Sequence, residues 1–191
     1  GRCGVGIEST ILDLSRGAAA APRILRPGAV TPERIASVLG RLPEIASQPP
    51  GADAAALPRV PGALAAHYAP LTPLRLLPAA ELAHLAEAVT AGQSCALLCH
   101  SRLPATPAAA LLVRQLPAEP ARYARELYAA LRELDEASAD LILVEEVPAT
   151  AAWAAVRDRL RRAARGAGGQ DLKQLSSNPS SALSAPRCDE E

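Results

Sequence analysis

The sequence is poor in aromatic and thioether side chains, which limits how its core can be built. Among 191 residues there is no Phe and no Met, one Trp and three Tyr, so aromatic residues make up only 2%. Hydrophobic residues still reach 49%, and most of them are Ala and Leu, which favour helices. The chain can therefore bury a core of aliphatic side chains.

The sequence also lacks an excess of either charge and any long apolar run. Its 20 basic and 20 acidic residues cancel to a net charge of zero, which gives no global electrostatic argument for nucleic-acid or membrane binding. No apolar run reaches the length of a membrane span, and the N-terminus has no signal-peptide pattern. These absences predict a cytoplasmic protein without membrane contact.

Cysteine is scarce, and its spacing raises one question. Of the four cysteines, Cys95 and Cys99 lie close to His100, a spacing that brings a metal site to mind. Free Cys in a short apolar run is typical of a buried strand, and no second ligand pair completes a set of four. We therefore expect no metal site, and no disulfide framework in so cysteine-poor a chain.

Residues 1–45 show the pattern of an incomplete α/β unit. Thr10–Leu14 and Arg23–Arg26 are predicted strands. A helix is predicted to begin with Thr31-Pro32-Glu33 and to end at Gly40, with Ile35, Val38 and Leu39 on its buried face. Two strands and one helix cannot bury their own faces, so this block needs a partner that the chain does not contain.

Residues 46–72 are rich in Pro, Ala and Gly. Pro61 and Pro70 bias the residues before them towards an extended conformation, which predicts a strap that crosses another domain. The open alternative is a plain interdomain linker, in which His67 and Tyr68 only pack between two domains.

Strands alternate with helices over residues 73–165, which predicts a compact, doubly wound parallel α/β domain. The predicted strands are Leu74–Leu77, Cys95–Cys99, Leu111–Leu116 and Leu141–Val144, and the predicted helices are 79–91, 120–136 and 150–165. Residues 166–191 are rich in Gly, Ser, Gln and Asn without periodicity, so we expect a disordered tail.

Three motifs occur in the order and spacing of one known family. They are Gly4-x-Gly6-Ile7-Glu8-Ser9-Thr10-Ile11-x-Asp13, Ile24-Leu25-Arg26-Pro27-Gly28, and Pro61-Gly62 followed by His67-Tyr68-Ala69-Pro70. Residues 1–165 thereby resemble the two-domain L-threonylcarbamoyladenylate synthases, which join a YrdC-like catalytic domain to a smaller C-terminal α/β domain through a strap. The resemblance implies that residues 1–45 are the C-terminal edge of the catalytic domain, 46–72 the strap and 73–165 the C-terminal domain.

The resemblance implies a nucleotidyltransferase that acts in the threonylcarbamoyladenosine modification of tRNA. Such an enzyme joins L-threonine, bicarbonate and ATP into threonylcarbamoyl-AMP and releases pyrophosphate. ATP, together with Mg²⁺, would be a substrate, and no tightly bound cofactor is implied. Other proteins of the same modification pathway are the expected partners.

The resemblance also implies roles for five residues, although none of them is assigned as catalytic. Ser9 matches the position whose hydroxyl contacts L-threonine, and Thr10 is its neighbour. Arg26 matches the arginine that contacts the nucleotide, and its forked donors suit phosphate. Tyr68 matches the strap tyrosine that closes over ATP, with His67 as a weaker candidate beside it.

The sequence departs from the family pattern in one important respect. The lysine-x-arginine and serine-x-asparagine motifs, which build most of the ATP and threonine pocket, are absent, and the only lysine is Lys173. Because the chain also opens at Gly1 within a structured segment, we expect it to be part of a longer protein and inactive by itself. Glu8 and Asp13 are expected to be structural.

A competing hypothesis is a module that binds RNA or protein, or that regulates the pathway. The last predicted helix is rich in arginine, and the residues concerned are Arg157, Arg159, Arg161, Arg162 and Arg165. The simpler interpretation, which we favour, is a solvated helix end whose cations suit the C-terminal helix dipole.

Overall fold

The computed structural model describes residues 6–17, 19–46, 69–82, 93–102 and 110–166. The predicted site residues Ser9, Thr10 and Arg26 lie inside these ranges. His67 and Tyr68, most of the strap, residues 83–91 of the first predicted helix of the C-terminal domain and the predicted tail from residue 167 onward lie outside them.

The N-terminal block is a small three-stranded sheet with one helix. Its strands are β1 (Ile11–Asp13), β2 (Arg23–Arg26) and β3 (Glu44–Ile45), in the order β1-β2-β3. Strand β1 is antiparallel to β2, and β3 is parallel to β2. Helix α1 (Pro32–Leu39) connects β2 to β3. The predicted strands are confirmed, whereas β3 was not predicted.

Helix α1 begins and ends where its capping residues predict. The Thr31 hydroxyl accepts a hydrogen bond from the Arg34 backbone N–H at 3.4 Å, and Pro32 occupies the first turn. Gly40 adopts a left-handed conformation with φ of 72° and donates to the Ala36 carbonyl at 2.8 Å. This is the glycine C-cap geometry that L-residues with a Cβ disfavour.

The predicted buried face of α1 is only partly correct. Ile35 is buried, but Val38 is 82% exposed and Leu39 is also exposed. Leu14 and Leu42 of the same block are more than half exposed as well. A helix face is buried only if another element covers it, and the described residues provide no such element on this side.

The C-terminal domain contains a four-stranded, fully parallel sheet. Its strands are β4 (Leu74–Leu77), β5 (Cys95–Cys99), β6 (Ala110–Gln115) and β7 (Leu141–Glu145), in the order β4-β7-β5-β6. Residues 79–82 are helical. Helix α2 (Pro120–Glu136) follows β6, and a 3₁₀ turn (Ala151–Trp153) leads from β7 into α3 (Ala154–Gly166). The parallel α/β architecture predicted from the alternating pattern is confirmed.

Both faces of this sheet are covered, which explains why β5 has an uninterrupted apolar sequence. Ala96 and Leu98 point into one core together with Tyr123 and Leu127 of α2. The alternate residues of β5 point the other way, into a second core that includes Leu82. Each fully buried leucine of this kind stabilises the fold by about 1.5–3 kcal/mol relative to an exposed one.

The spacing of Cys95, Cys99 and His100 does not bring the three side chains together. Both thiols face the second core, whereas the His100 imidazole lies against the ring of Trp153, with ring centroids 5.7 Å apart. Burial, reinforced by the charge of Glu145, raises the pKa of the Cys99 thiol to about 11. Within the described ranges, no three potential metal ligands cluster.

No helix among the described residues combines the length and the apolar character needed to cross a membrane.

Candidate functional site

Arg26 and Ser9, which were predicted to contact different substrates, lie side by side. Arg26 ends β2 and is only 7% exposed. Its Nε and Nη2 donate to the Ser9 carbonyl oxygen at 3.2 and 2.9 Å, and Nη2 lies 3.5 Å from Ser9 Oγ. The Ser9 residue itself is exposed. A fixed cation and an accessible hydroxyl therefore lie together at the end of the N-terminal sheet where β2 ends and β1 begins, which we call the Arg26–Ser9 edge.

The Thr10 hydroxyl bonds to the turn that follows β2. Its Oγ1 donates to the Val30 carbonyl oxygen at 2.8 Å and accepts from the Val30 backbone N–H at 3.0 Å. The hydroxyl thus holds the turn after β2 against the start of β1. We therefore expect the conformation of this turn to depend on the Thr10 hydroxyl.

Gly28 explains why the same turn carries a Pro-Gly pair. A Cβ on Gly28 would lie 2.5 Å from the Glu8 carbonyl oxygen and would collide with the Thr10 backbone nitrogen. Real Cβ atoms do not approach backbone atoms this closely, so the turn can pack on residues 8–10 only with glycine. The second and first sequence motifs therefore meet through their backbones.

Asp13 closes the turn that follows β1. Its Oδ1 accepts hydrogen bonds from the Ser15 backbone N–H at 2.9 Å and from the Ser15 hydroxyl at 2.7 Å. These two bonds lower the pKa of the carboxyl group. The arrangement is a local turn cap, in line with the structural role expected of Asp13.

Glu8 connects this edge to the C-terminal domain. The Tyr128 hydroxyl on α2 lies 3.0 and 3.2 Å from the two Glu8 carboxylate oxygens, and Arg159 Nε on α3 lies 2.7 Å from Glu8 Oε2. We call these three residues the Glu8 junction. Sequence analysis missed this connection, because Glu8 and Arg159 lie 151 positions apart and nothing in either local pattern indicates a partner.

Glu8 is held in its charged form. Burial alone would raise its pKa, but a backbone hydrogen bond, Arg159 and the Tyr128 hydroxyl together outweigh burial and lower the pKa. Burial and the Glu8 charge raise the pKa of Tyr128 well above its usual value. Tyr128 is therefore a neutral hydrogen-bond donor to an ionised carboxylate, which is the stronger class of hydrogen bond.

Burial of two arginines corrects part of our interpretation of a solvated helix end, whereas Arg161 and Arg165 are exposed as expected. Arg159 and Arg162 are only 5% and 8% exposed, and both pair with Asp158, Arg162 Nε at 2.9 Å. Arg157 donates to the Pro148 carbonyl oxygen at 3.0 Å. The sequence could not show that α3 packs Arg159 and Arg162 against carboxylates of Glu8 and Asp158.

Two cavities lie where the N-terminal block meets the C-terminal domain. The larger, of about 610 Å³, lies between the Pro27–Pro32 turn and the beginnings of α2 and of the 3₁₀ turn, and its walls are mostly apolar. The smaller, of about 370 Å³, lies between Pro27 and Ile45 on one side and the arginines of α3 on the other. The interface between the two units is thus open enough to admit small molecules or another segment.

A second polar cluster lies at the carboxyl ends of β5 and β7. Glu145 is buried, and its Oε2 accepts hydrogen bonds from the backbone N–H groups of His100 and Ser101 at 2.7 and 2.9 Å. His100 Nδ1 lies 3.0 Å from the same oxygen but is not aligned for a hydrogen bond. Because Glu145 already accepts two backbone donors, the cluster is sufficiently explained as a cap on the ends of both strands.

Asp135, at the end of α2, anchors the start of the C-terminal domain. Its carboxylate accepts hydrogen bonds from the backbone N–H groups of Leu71 and Thr72, at 3.1 and 2.8 Å. The last described residues of the predicted strap region are therefore held against α2.

Comparison with known proteins identifies the family. The family model described as "Threonylcarbamoyl-AMP synthase, C-terminal domain" matches residues 30–165. The threonylcarbamoyl-AMP synthase of Bacillus subtilis (strain 168) is 32% identical over 170 residues, which cover 87% of this chain and 47% of that protein. The chain thus spans about half the length of the curated relative that it matches.

Solved structures agree with the fold. The crystal structure of P. abyssi Sua5 complexed with L-threonine superposes with a TM-score of 0.63 at 28% identity, and the match covers 85% of this chain and 47% of that one. A P. abyssi Sua5 variant, in which adjacent His and Tyr residues are replaced by Ala, gives a TM-score of 0.55 at 27% identity, over 85% and 44% of the two chains. The family model covers well over half of the residues of this chain. The chain therefore belongs to the threonylcarbamoyl-AMP synthase C-terminal domain family.

Proposed function

We propose that the chain is part of an L-threonylcarbamoyladenylate synthase, a nucleotidyltransferase that converts L-threonine, bicarbonate and ATP into threonylcarbamoyl-AMP and pyrophosphate. The observation that carries the proposal is the Arg26–Ser9 pair, which joins two of the family motifs at one end of the N-terminal sheet. The proposed product serves tRNA threonylcarbamoyladenosine modification in the cytoplasm, together with other proteins of that pathway.

The proposed roles follow from the chemistry of these side chains. The Arg26 guanidinium binds phosphate oxygens of ATP, which arrives with Mg²⁺, and the exposed Ser9 hydroxyl contacts L-threonine. Arginine suits this task because its planar fork offers parallel donors and keeps its charge when buried. Thr10 belongs to the proposed threonine site, and its hydroxyl holds the turn that follows Arg26.

His67 and Tyr68 complete the proposal as strap residues that close over the nucleotide. The P. abyssi Sua5 variant carries Ala in place of an adjacent His and Tyr, and His67-Tyr68 is such a pair in this chain. Closure would exclude water from a carbamate and a mixed anhydride, both of which hydrolyse readily.

The proposal is tested by isothermal titration calorimetry with ATP and with L-threonine, on this chain and on the full-length protein. We expect both ligands to bind the full-length protein only, and we expect the affinity for ATP to fall by about 10-fold or more in Arg26→Lys, because the fork is lost while the charge remains. Arg23→Lys is the matched control, since Arg23 lies on the same strand and pairs with Glu44. Tight ATP binding by this chain alone, or no binding and no pyrophosphate release by the full-length protein, would overturn the proposal.

A second candidate function, RNA binding, is favoured by one observation. The smaller cavity collects Arg157, Arg161 and Arg165 on one wall beside Asp158. If these arginines bind phosphodiesters, the logarithm of the affinity for a tRNA should fall with the logarithm of salt concentration with a slope of about −2 to −3. A flat salt dependence, or an unchanged affinity in Arg161→Gln, would reject this function.

A further inference from the structure

The C-terminal domain grips the first motif at two points along one helix. Gly6 has φ of 78°, and a Cβ there would collide with the backbone of Arg125 on α2. Glu8, two residues later, meets Tyr128, which lies three positions along the same helix face. Residues 6–8 are therefore laid along α2, with a backbone contact at one end and a charge-assisted hydrogen bond at the other.

Helix α3 also contacts Glu8, through Arg159. Arg159 donates to Glu8 and also pairs with Asp158, and Asp158 pairs with Arg162. The Arg159 side chain is 5% exposed, so its direction is fixed by packing as well as by its two carboxylate partners. A buried arginine with two anchored acceptors has little freedom to follow a moving partner.

Glu8 lies directly beside the Arg26–Ser9 edge. The peptide that follows Glu8 leads into Ser9, whose carbonyl oxygen accepts hydrogen bonds from Nε and Nη2 of Arg26. The Glu8 carbonyl oxygen in turn lies against Gly28 of the turn that follows Arg26. A displacement of Glu8 must therefore move the acceptor that orients the Arg26 guanidinium.

We propose that Glu8 is a positioning residue, through which Tyr128 and Arg159 of the C-terminal domain hold Ser9 and Arg26 in the geometry that binds substrate. The kinetic part of this inference rests on the proposed synthase function, whereas its structural part does not. It gives the C-terminal domain a task in substrate binding although none of its residues need touch a substrate.

The structural part is tested on this chain by hydrogen–deuterium exchange with mass spectrometry. Tyr128→Phe and Glu8→Gln should speed amide exchange in residues 9–12 and 23–30 by about 10-fold more than in β5 and β7, where exchange rises only with the loss of overall stability. Tyr123→Phe is the matched control on the same helix, because the buried Tyr123 hydroxyl has no hydrogen-bond partner among the described residues. Unchanged exchange in residues 9–12 and 23–30, or a uniform increase along the whole chain, would overturn the inference.

The kinetic part is tested on the full-length protein by pyrophosphate release. Tyr128→Phe should raise the KM for L-threonine by about 10-fold, the size expected for one hydrogen bond to a charged group, with kcat changed less than about 2-fold. The effect of Tyr128→Phe should largely disappear in a Glu8→Gln background, because the two changes act on one interaction. Tyr123→Phe should leave both constants unchanged.

The outcomes separate the inference from the proposed function. A local exchange effect in a full-length protein without synthase activity would support the positioning role and reject the synthase proposal. Synthase activity with equal KM values in the wild type, Tyr128→Phe and Glu8→Gln would reject the positioning role and leave the synthase proposal standing.

Discussion

Tyr123 and Tyr128 lie on the same helix, but replacement of each by Phe is expected to change the free energy of unfolding in opposite directions. Replacing Tyr128 with Phe removes the hydroxyl that lies 3.0 Å from the Glu8 carboxylate. A hydrogen bond to a charged group contributes about 1.5–3 kcal/mol. Because Tyr128 is only partly buried, we expect a loss of about 1–2 kcal/mol in the free energy of unfolding.

Replacing Tyr123 with Phe should not destabilise the protein. The Tyr123 side chain is fully buried, and within the described part of the chain its hydroxyl has no hydrogen-bond partner. Burying a hydroxyl without a partner is unfavourable, so its removal is expected to stabilise the fold by between zero and about 1 kcal/mol. The ring contact with Trp153, at a centroid distance of 5.3 Å, is retained by Phe.

Urea unfolding followed by far-UV circular dichroism distinguishes the two variants. With a slope of about 2 kcal/mol per molar urea, the expected losses lower the Tyr128→Phe midpoint by about 0.5–1 M, whereas the Tyr123→Phe midpoint stays the same or rises. Equal midpoints in the two variants would refute the assignment of the Tyr128 hydroxyl to Glu8.

Three further predictions concern other positions. Gly28→Ala should cost about 3 kcal/mol by overpacking against Glu8 and Thr10, a fall in Tm of about 6–12 °C by calorimetry; an unchanged Tm would contradict the close approach. Burial would raise the pKa of Asp135, but hydrogen bonds from Thr72 and Leu71 outweigh burial and lower that pKa. The ionised carboxylate therefore stabilises the fold fully above pH 3.8, the ordinary pKa of Asp, and this stabilisation is lost as pH falls through the lowered pKa. The free energy of unfolding of Asp135→Asn should depend less on acid pH than that of the wild type, and an identical pH profile would contradict this. Cys99, with its pKa raised from 9.0 to about 11, should be alkylated by iodoacetamide at pH 8 about 100-fold more slowly in the native than in the unfolded chain, and equal labelling by mass spectrometry would contradict its burial.

Elements whose signals are local were predicted well from the sequence. Thr31, Pro32 and Gly40 set the limits of α1 because capping depends on residues within one turn of each other. The apolar stripe of α2 likewise predicted its bounds at Pro120 and Glu136, since burial of one helix face repeats every 3.6 residues.

Features that depend on distant contacts were missed or wrong. Strand β3 contains only two residues and forms because Glu44 and Ala46 donate to the backbone of Pro22 and Ile24, which no local periodicity can indicate. Val38 was assigned to a core by the same periodicity that succeeded for α2, but periodicity identifies an apolar face and cannot show whether another element covers it.

The candidate site divides in the same way. Arg26 and Ser9 could be proposed because each lies in a motif of contiguous residues, and no sequence pattern could have shown that the one donates to the carbonyl of the other. The partners of Arg159 could not be predicted, because buried and solvated arginines occur at the same spacing along a helix. Only the carboxylate that neutralises a buried arginine distinguishes it from a solvated one.

The limit of the matched family region differs from the limit of the folded unit. The match covers residues 30–165, so it includes Tyr128 and Arg159 but not Glu8. In a domain cut at residue 30, the buried Arg159 would keep Asp158 and lose Glu8. Removal of one partner from a fully buried pair costs about 3–5 kcal/mol; because the Glu8 side chain is 28% exposed and Asp158 remains, we take about 1–3 kcal/mol.

That cost is a substantial share of the 5–15 kcal/mol that stabilises a typical domain. The C-terminal domain therefore needs Glu8 for its own stability, in addition to holding it for the neighbouring residues. Since Glu8 is joined by one peptide bond to Ser9, any change that frees the carboxylate must weaken the domain and disturb the Arg26–Ser9 edge together. Dependence of two properties on one carboxylate is a physical reason for the two units to remain in a single chain.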